Sequence, residues 1–354
     1  MVAEQVVVGL LFGGRSAERE ISFRSAQFID AVLRDGGYEV LPIEIDKDGR
    51  WYRHDQLPVS NDAPTRRVEL ALLPGGRGKM LCLGDKSRVC KIDVFFPMLH
   101  GPLGEDGSIQ GLCRSLGVPF VGSGIAASAI GMDKSLTKRL LAAGGILIVP
   151  YLASKSEGEY SYEEVSAKLG SPFFIKPASL GSSIGISKVT SPAEFAPAVR
   201  AALQYDHKIL FERAIVGREI ECAVLEESDH TFAASLLGEI EVNSEFYSYE
   251  AKYHEESTSV LRIPAKTPAS TGENMRRTAI QCAKILGCEG MVRVDFFLQA
   301  DGTFFVNEVN TIPGFTSISM FPKLWAESGR SATDMVRLLV TLASERLVND
   351  ERRI

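Results

Sequence analysis

The sequence predicts an α/β protein of two or three domains, and three observations carry that prediction. Short apolar runs of strand length alternate along the chain with segments of helical length. Glycine-rich turns sit at several of the joints between them. With 354 residues, 45% apolar and 24% charged, the chain has material for more than one hydrophobic core.

The elements follow in order. Val6 to Phe12 is a continuous apolar run, read as a buried strand, and Gly13-Gly14 turns the chain into a helix from about Ser22 to Asp35. Gly36-Gly37 stops that helix. Asp93 to Met98 is a second buried strand, running into His100-Gly101. Asp133 opens a helix ending near Gly144, and a smaller α+β unit follows. Its strands are Phe173 to Lys176, Ile184 to Val189, Leu210 to Glu212 and Glu219 to Leu225. Ser191-Pro192-Ala193-Glu194 starts a helix with a capping box. The last section holds a helix from Gly272 to Leu286, a hairpin from Met291 to Asn310, and an amphipathic helix from about Thr333 to Leu347.

Composition excludes several classes. The 39 basic and 45 acidic residues leave a net charge of -6, which argues against a general nucleic-acid binder. The six cysteines, Cys82, Cys90, Cys113, Cys222, Cys282 and Cys288, form no C-x-x-C pair and read as buried free thiols of a reducing compartment. Met1 to Gln5 has no basic n-region, and Leu140 to Ala153 is too short and too rich in Gly and Pro to span a bilayer. A cytoplasmic protein without membrane partners is expected.

The hairpin carries the most chemistry. Asp301-Gly302 between two apolar runs signals a two-residue turn. That turn pairs Asp295 with Glu308 and Arg293 with Asn310, all on one face. Opposed side chains lie roughly 5 Å apart, where like charges repel. A cation between two carboxylates and an amide resolves the repulsion, and such oxygen ligands suit Mg²⁺ held with substrate phosphates. A solvated face whose carboxylates pair with lysines is the other reading, and the hairpin alone leaves both open. A three-residue loop would shift the register and remove the opposition.

Other segments are weaker. Lys176-Pro177-Ala178-Ser179-Leu180-Gly181-Ser182-Ser183-Ile184-Gly185 offers small residues and hydroxyls for an anion and a lysine for phosphate. It lacks the P-loop pattern, and by itself it reads slightly better as an ordinary Gly/Ser loop. Gly122-Ser123-Gly124-Ile125-Ala126-Ala127 matches a dinucleotide fingerprint, but no acid ends the next apolar run, Ile146 to Val149. It reads instead as a tight strand-to-helix connection. Glu18, beyond the first strand, can hold a substrate ammonium or be a surface residue. His100, with Glu105 and Asp106 nearby, has no G-x-S-x-G serine to serve. His54, His207, His230 and His254 read as surface residues.

Taken in order, these segments resemble the D-alanine–D-alanine ligases of the ATP-grasp superfamily. The likeness rests on Leu11 to Ser22, His100 to Gly111, Met132-Asp133-Lys134, the Lys176 loop, Gly217-Arg218-Glu219, Tyr249 to Tyr253, Arg293-Val294-Asp295 and Asn307 to Met320. The resemblance implies an ATP-grasp fold: an N-terminal parallel-sheet α/β domain (1–127), a central α+β domain (128–222) and a C-terminal α+β domain (223–354), the last two sandwiching ATP. It implies ligation of two D-alanines through an acyl phosphate for peptidoglycan precursor synthesis, with D-serine or D-lactate as alternative second substrates and, behind these, a non-catalytic ATP-binding regulator, which would be expected to lack some metal or phosphate groups. Two Mg²⁺, with Mn²⁺ able to substitute, would be held by Asp295, Glu308 and Asn310. Lys134 and Lys176 would contact ATP phosphates, and Ser182-Ser183 would close over the γ-phosphate. Glu212 and Ile215 would receive the adenine, and Glu219 the ribose. Glu18 would bind the first D-alanine's ammonium, and His100 would line the same substrate site. Ser319 and Met320 would meet the second carboxylate, while Arg293 and the Gly314 N–H would stabilise the oxyanion. A lid from Glu245 to Ser257 would bring Lys252 to the nucleotide and Tyr253 towards Ser182 and Glu18. Relatives of this kind are commonly homodimers.

Overall fold

The computed structural model describes residues 5–58, 60, 66–84, 88–241 and 260–351. Three sheets organise them. The first contains β1 (Val7–Gly13), β2 (Glu39–Ile45), β3 (Trp51–His54), β4 (Arg67–Leu72), β5 (Lys79–Cys82), β6 (Val89–Lys91) and β7 (Val94–Pro97), in the order β6-β5-β4-β3-β2-β1-β7. Only β1 is parallel to its neighbours, β2 and β7; the strands from β3 to β6 add an antiparallel wing. The parallel sheet expected from sequence is therefore the centre of a mixed one. The wing strands are short and half exposed, so they leave no long apolar run to read.

β8 (Tyr151–Ser154), β9 (Phe173–Pro177), β10 (Ser187–Val189) and β11 (Ile209–Arg213) form an antiparallel sheet in the order β10-β9-β11-β8. β12 (Arg218–Glu226), β13 (Phe232–Glu241), β14 (Val260–Arg262), β15 (Met291–Leu298) and β16 (Phe304–Asn310) form the third, in the order β14-β13-β12-β15-β16. The expected boundary after residue 222 falls inside β12, a single strand of this third sheet.

Each sheet has its own apolar packing, and the first and third also share one. Helix Arg19–Asp35 covers one face of the first sheet, and Phe12, Ile29 and Phe96 pack there in a cluster that continues to Ala223, Met291 and Trp325. The other face of the third sheet buries Val294, Phe296, Val306 and Val309 against helix Ala269–Leu286, together with Leu141 of helix Lys134–Ala143. Burial of this kind contributes about 25 cal/mol per Å² of apolar surface, which makes it the main term holding the sheets together. The shared cluster packs the first sheet against the third.

Several element boundaries differ from those expected, for local reasons. The first helix begins at Arg19, not Ser22. Ser22 does not cap it: its hydroxyl accepts from the Gly13 N–H at 2.8 Å and donates to the Met98 carbonyl, tying the helix to both strand ends. The strand expected from Ile184 is confined to Ser187–Val189, because Ser182, Ser183 and Gly185 take positive φ and keep the preceding loop curled. Asp133 caps its helix as expected, accepting from Ser135 and Leu136 N–H at 3.0 and 3.1 Å. All six cysteines are buried and free. Burial pushes the Cys113 and Cys222 thiols up to about 12, so both stay protonated. Among the described residues no helix is long and apolar enough to cross a membrane.

Candidate active site

A cavity of about 1470 Å³ opens between the three sheets. Its wall includes Glu18 and His100 from the first, Lys134 and Ser182 from the central segment, and Arg293, Glu308 and Asn310 from the hairpin. Gly314, Ser319 and Met320 complete it. Residues far apart in sequence thus meet at one place, at the carboxyl end of β1 where the chain turns into its helix.

The hairpin reaches the expected pairing by an unexpected route. Leu298 pairs with Phe304, and the Gln299 N–H bonds the Thr303 carbonyl at 2.8 Å, so the loop is Ala300-Asp301-Gly302 with Gly302 at φ 87°. The two-residue turn is therefore replaced by a three-residue loop. Continued without interruption, this register would set Asp295 opposite Asn307. A bulge intervenes, and beyond it Asp295 pairs with Glu308, Val294 with Val309 and Arg293 with Asn310. The bulge also explains why Val306 and Val309, three apart, both enter the core.

On the polar face, Arg293 grips Asp295 with two bonds of 2.7 Å and reaches Glu221 at 3.1 Å. Burial opposes its charge, but Asp295 and Glu221 outweigh that and hold Arg293 protonated well beyond its ordinary range. Asn310 Nδ2 donates to Asp295 at 3.0 Å, and Lys134 Nζ lies 3.7 Å from Glu308. Part of the repulsion between carboxylates is thus met by the protein's own cations. Asp295, Glu308 and Asn310 still supply two carboxylates and an amide, hard oxygen donors of the type Mg²⁺ accepts when phosphates complete its shell. Among the described residues no cluster of three or more His, Cys, Asp or Glu is arranged to hold a metal.

Glu18 is buried where two glycines make room. A Cβ on Gly101 would lie 2.6 Å from Glu18 Oε2, and one on Gly181 would lie 3.1 Å from Oε1. The Ser182 hydroxyl donates to Glu18, so the Gly/Ser loop and the first β–α turn touch across the cavity. The surface reading of Glu18 falls away. His100 is buried, with Nε2 3.1 Å from the Ser25 hydroxyl and Nδ1 3.3 Å from Glu105. Burial raises the Glu105 carboxyl above its ordinary value, partly offset by His100 and reinforced by the negative charge of Glu18.

Lys176 and Glu212 lie behind the wall, with Lys176 Nζ 2.7 Å from Glu212. Ser183 adjoins Ser182 in the curled loop. Ile215 lies between β11 and β12, while Glu219 shares the polar face of β12 with Glu221 and pairs with Phe297 and Ile240. Ser319 precedes helix Met320–Glu327; its hydroxyl lies 2.7 Å from that of Thr316 and accepts from the Thr316 N–H at 3.1 Å. Gly314 stands beside it, and the Met320 side chain packs against Gly238. Lys252 and Tyr253 lie outside the described residues.

Three residues escaped the sequence reading. Lys138 follows Lys134 by four positions, hence on the same helix face, and is buried against Glu212. Glu221 follows Glu219 by two on an apolar strand, a pattern that signals a polar face. His54 is no surface residue: it is 3% exposed, bonded to Glu44 at 2.6 Å. Its polar sequence neighbours misled, because Glu44 arrives from the adjacent strand.

Comparison with known proteins places these features. A profile described as D-ala D-ala ligase N-terminus matches residues 7–123, and one described as D-ala D-ala ligase C-terminus matches residues 140–341. The chain is 47% identical to D-alanine–D-alanine ligase B of Bradyrhizobium diazoefficiens, covering 97% of this chain and 94% of that protein. It is 43% identical to D-alanine–D-alanine ligase A of Escherichia coli, covering 98% of each. The solved D-alanine–D-alanine ligase of Coxiella burnetii superposes with a TM-score of 0.87 at 35% identity, over 99% of this chain and 97% of that one. The VanG D-Ala:D-Ser ligase of Enterococcus faecalis superposes with a TM-score of 0.84 at 32% identity, over 96% of this chain and 100% of that one. The ATP-grasp fold is common to this chain and these structures.

Proposed function

The chain belongs to the D-alanine–D-alanine ligase family, and on that premise we propose that it joins two D-alanines in the cytoplasm, cleaving ATP to ADP and phosphate. The observation that carries the reading is the meeting of Glu18, Ser182, Arg293 and Glu308 on one cavity wall.

The first D-alanine's ammonium binds Glu18, with His100 beside it. Its carboxylate attacks the γ-phosphorus of ATP, the bond to ADP breaks, and an acyl phosphate forms. The amine of the second D-alanine attacks the acyl carbon, loses a proton, and phosphate departs. Two anions must approach in the first step, so cations decide its barrier. Lys134, Lys176 and Arg293 supply fixed positive charge. Mg²⁺, held by Asp295, Glu308 and Asn310, neutralises the phosphates when bound, and Mn²⁺ has the same oxygen preference. Arg293 and the Gly314 N–H face the oxyanion of the second step. Ser319 and Met320, at the start of their helix, meet the second carboxylate. Glu212 and Ile215 take the adenine and Glu219 the ribose. The Ser182-Ser183 loop, Lys252 and Tyr253 exclude water from the acyl phosphate. The protein acts as a homodimer on small molecules, and its dipeptide enters peptidoglycan precursors.

ADP release with D-alanine alone, compared with D-alanine plus D-serine or D-lactate, tests this. Turnover with D-alanine alone is expected. Negligible release without D-serine or D-lactate would sink the assignment and favour a ligase of mixed products.

A further inference from the structure

Lys138 has no part in the chemistry above, yet it is among the most buried ionisable groups of the protein, at 1% exposure. Its helix starts with Lys134, which points to the cavity and lies 3.7 Å from Glu308. One turn later, Lys138 Nζ lies 3.1 Å from Glu212 Oε1 and donates to the Asn307 carbonyl at 3.2 Å. Lys176 takes the other oxygen of Glu212 at 2.7 Å. One ammonium therefore ties its helix to two other elements, the strand β11 that carries Glu212 and the hairpin.

The Asn307 contact matters because Asn307 is the bulged residue. The strand is pinned just before it, where the Val306 N–H bonds the Leu147 carbonyl at 2.9 Å and the Val149 N–H bonds the Val306 carbonyl at 3.3 Å. Just after it stands Glu308, opposite Asp295. A bulge removes a carbonyl from the ladder, and a buried carbonyl needs a donor. Lys138 is that donor. Burial drives its pKa down to about 8, against the pull of Glu212.

We propose that Lys138 is a positioning residue that couples Glu212, read above as an adenine contact, to the placement of Glu308, by holding both Glu212 and the bulge carbonyl of Asn307. The proposal rests on the reading of Glu308 as a metal ligand beside ATP. Loss of Lys138 leaves the carboxylates in place but frees the bulge, so metal binding weakens more than amino-acid binding.

The test measures Mn²⁺ affinity by electron paramagnetic resonance at saturating non-hydrolysable ATP analogue, with melting temperature and the KM for D-alanine alongside. Lys138→Met should weaken Mn²⁺ about tenfold while the KM for D-alanine stays unchanged. A second variant removes Asn307. That closes the ladder with Glu308 still facing Asp295 and Lys138 still paired with Glu212; with no bulge carbonyl left to hold, adding Lys138→Met to it should cost no further Mn²⁺ affinity. Wild-type protein that binds neither analogue nor Mn²⁺ overturns the functional reading itself. Mn²⁺ binding that falls in Glu308→Gln but stands unchanged in Lys138→Met, or that Lys138→Met weakens equally with and without Asn307, overturns the role of Lys138 alone. Failure of both variants to fold also overturns it, since Lys138 would then be a determinant of folding.

Discussion

Two buried ion clusters invite comparison. In the first domain, Arg19 bonds Glu44, the Gly14 carbonyl at 2.9 Å and the Ile45 carbonyl at 2.7 Å, while His54 and Arg67 complete Glu44 at 2.6 and 3.1 Å. Beside the cavity, Arg293 and Asn310 hold Asp295, Arg293 also reaches Glu221, and Lys134 lies beside Glu308 on the facing strand, in a group open on one side. Both remove charge from water, at a cost that must be met by partners. The first is closed by backbone and side chains of the β2–β4 region and holds the Gly13-Gly14 turn that precedes Glu18. The second leaves Glu308 and Asn310 facing space large enough for substrates. Buried charge by itself marks neither structure nor function; what decides is whether the last partner is protein or ligand.

That contrast can be broken by substitution. Glu308→Gln should lower turnover about a thousandfold, equivalent to ~4 kcal/mol of transition-state stabilisation, with the melting temperature nearly unchanged. ADP release and calorimetry together check this, and near-normal turnover contradicts the metal role. Glu44→Gln should do the reverse. It leaves Arg19 buried without its counter-charge and should destabilise the fold by about 3 kcal/mol in denaturant titration, with the folded enzyme's rate within roughly threefold of wild type.

Acid sharpens the same comparison. Burial alone would raise Glu44, but His54, Arg19 and Arg67 outweigh it and hold the carboxyl below its ordinary value. The folded state therefore binds its proton later than the unfolded state does. The stabilisation is full above the ordinary glutamate range and is lost as pH falls through the depressed value. Wild-type melting temperature should drop more steeply on acidification than that of Glu44→Gln, and parallel slopes would remove the ion cluster as the cause.

Smaller effects complete the scale. Ser182→Ala removes the hydroxyl that meets Glu18 and should lower kcat/KM for D-alanine about tenfold, or ~1.4 kcal/mol. Arg24→Ala removes an exposed pair with Glu20 at 2.8 Å and should change stability by less than about 0.5 kcal/mol, since such pairs are screened by water and salt.

Much of the fold was legible because its signals are local. Continuous apolar runs marked β1 and β7, Asp133 marked a helix start, and the alternation of Arg293 and Asp295 against Val292 and Val294 marked a strand with one polar face. The wing from β3 to β6 was not legible, since its strands are short and stabilised by their neighbours more than by their own pattern. Lys138 and His54 were missed for a related reason. Their partners, Glu212 and Glu44, come from other elements, so nothing beside them in sequence announced burial.

The amino-acid sequence by itself determined which residue types are available to the site: acid, amide and arginine on facing strands, and lysines and hydroxyls on a small-residue loop. Those follow from side-chain alternation and backbone sterics, which act over a few residues. Only the tertiary structure decided that a three-residue loop and a bulge at Asn307 together set Asp295 against Glu308. Register is a sum of local irregularities weighed against the burial of a whole face. Here Val306 and Val309 must both reach the core, and that demand, with the Lys138 ammonium waiting for the Asn307 carbonyl, selects the bulge.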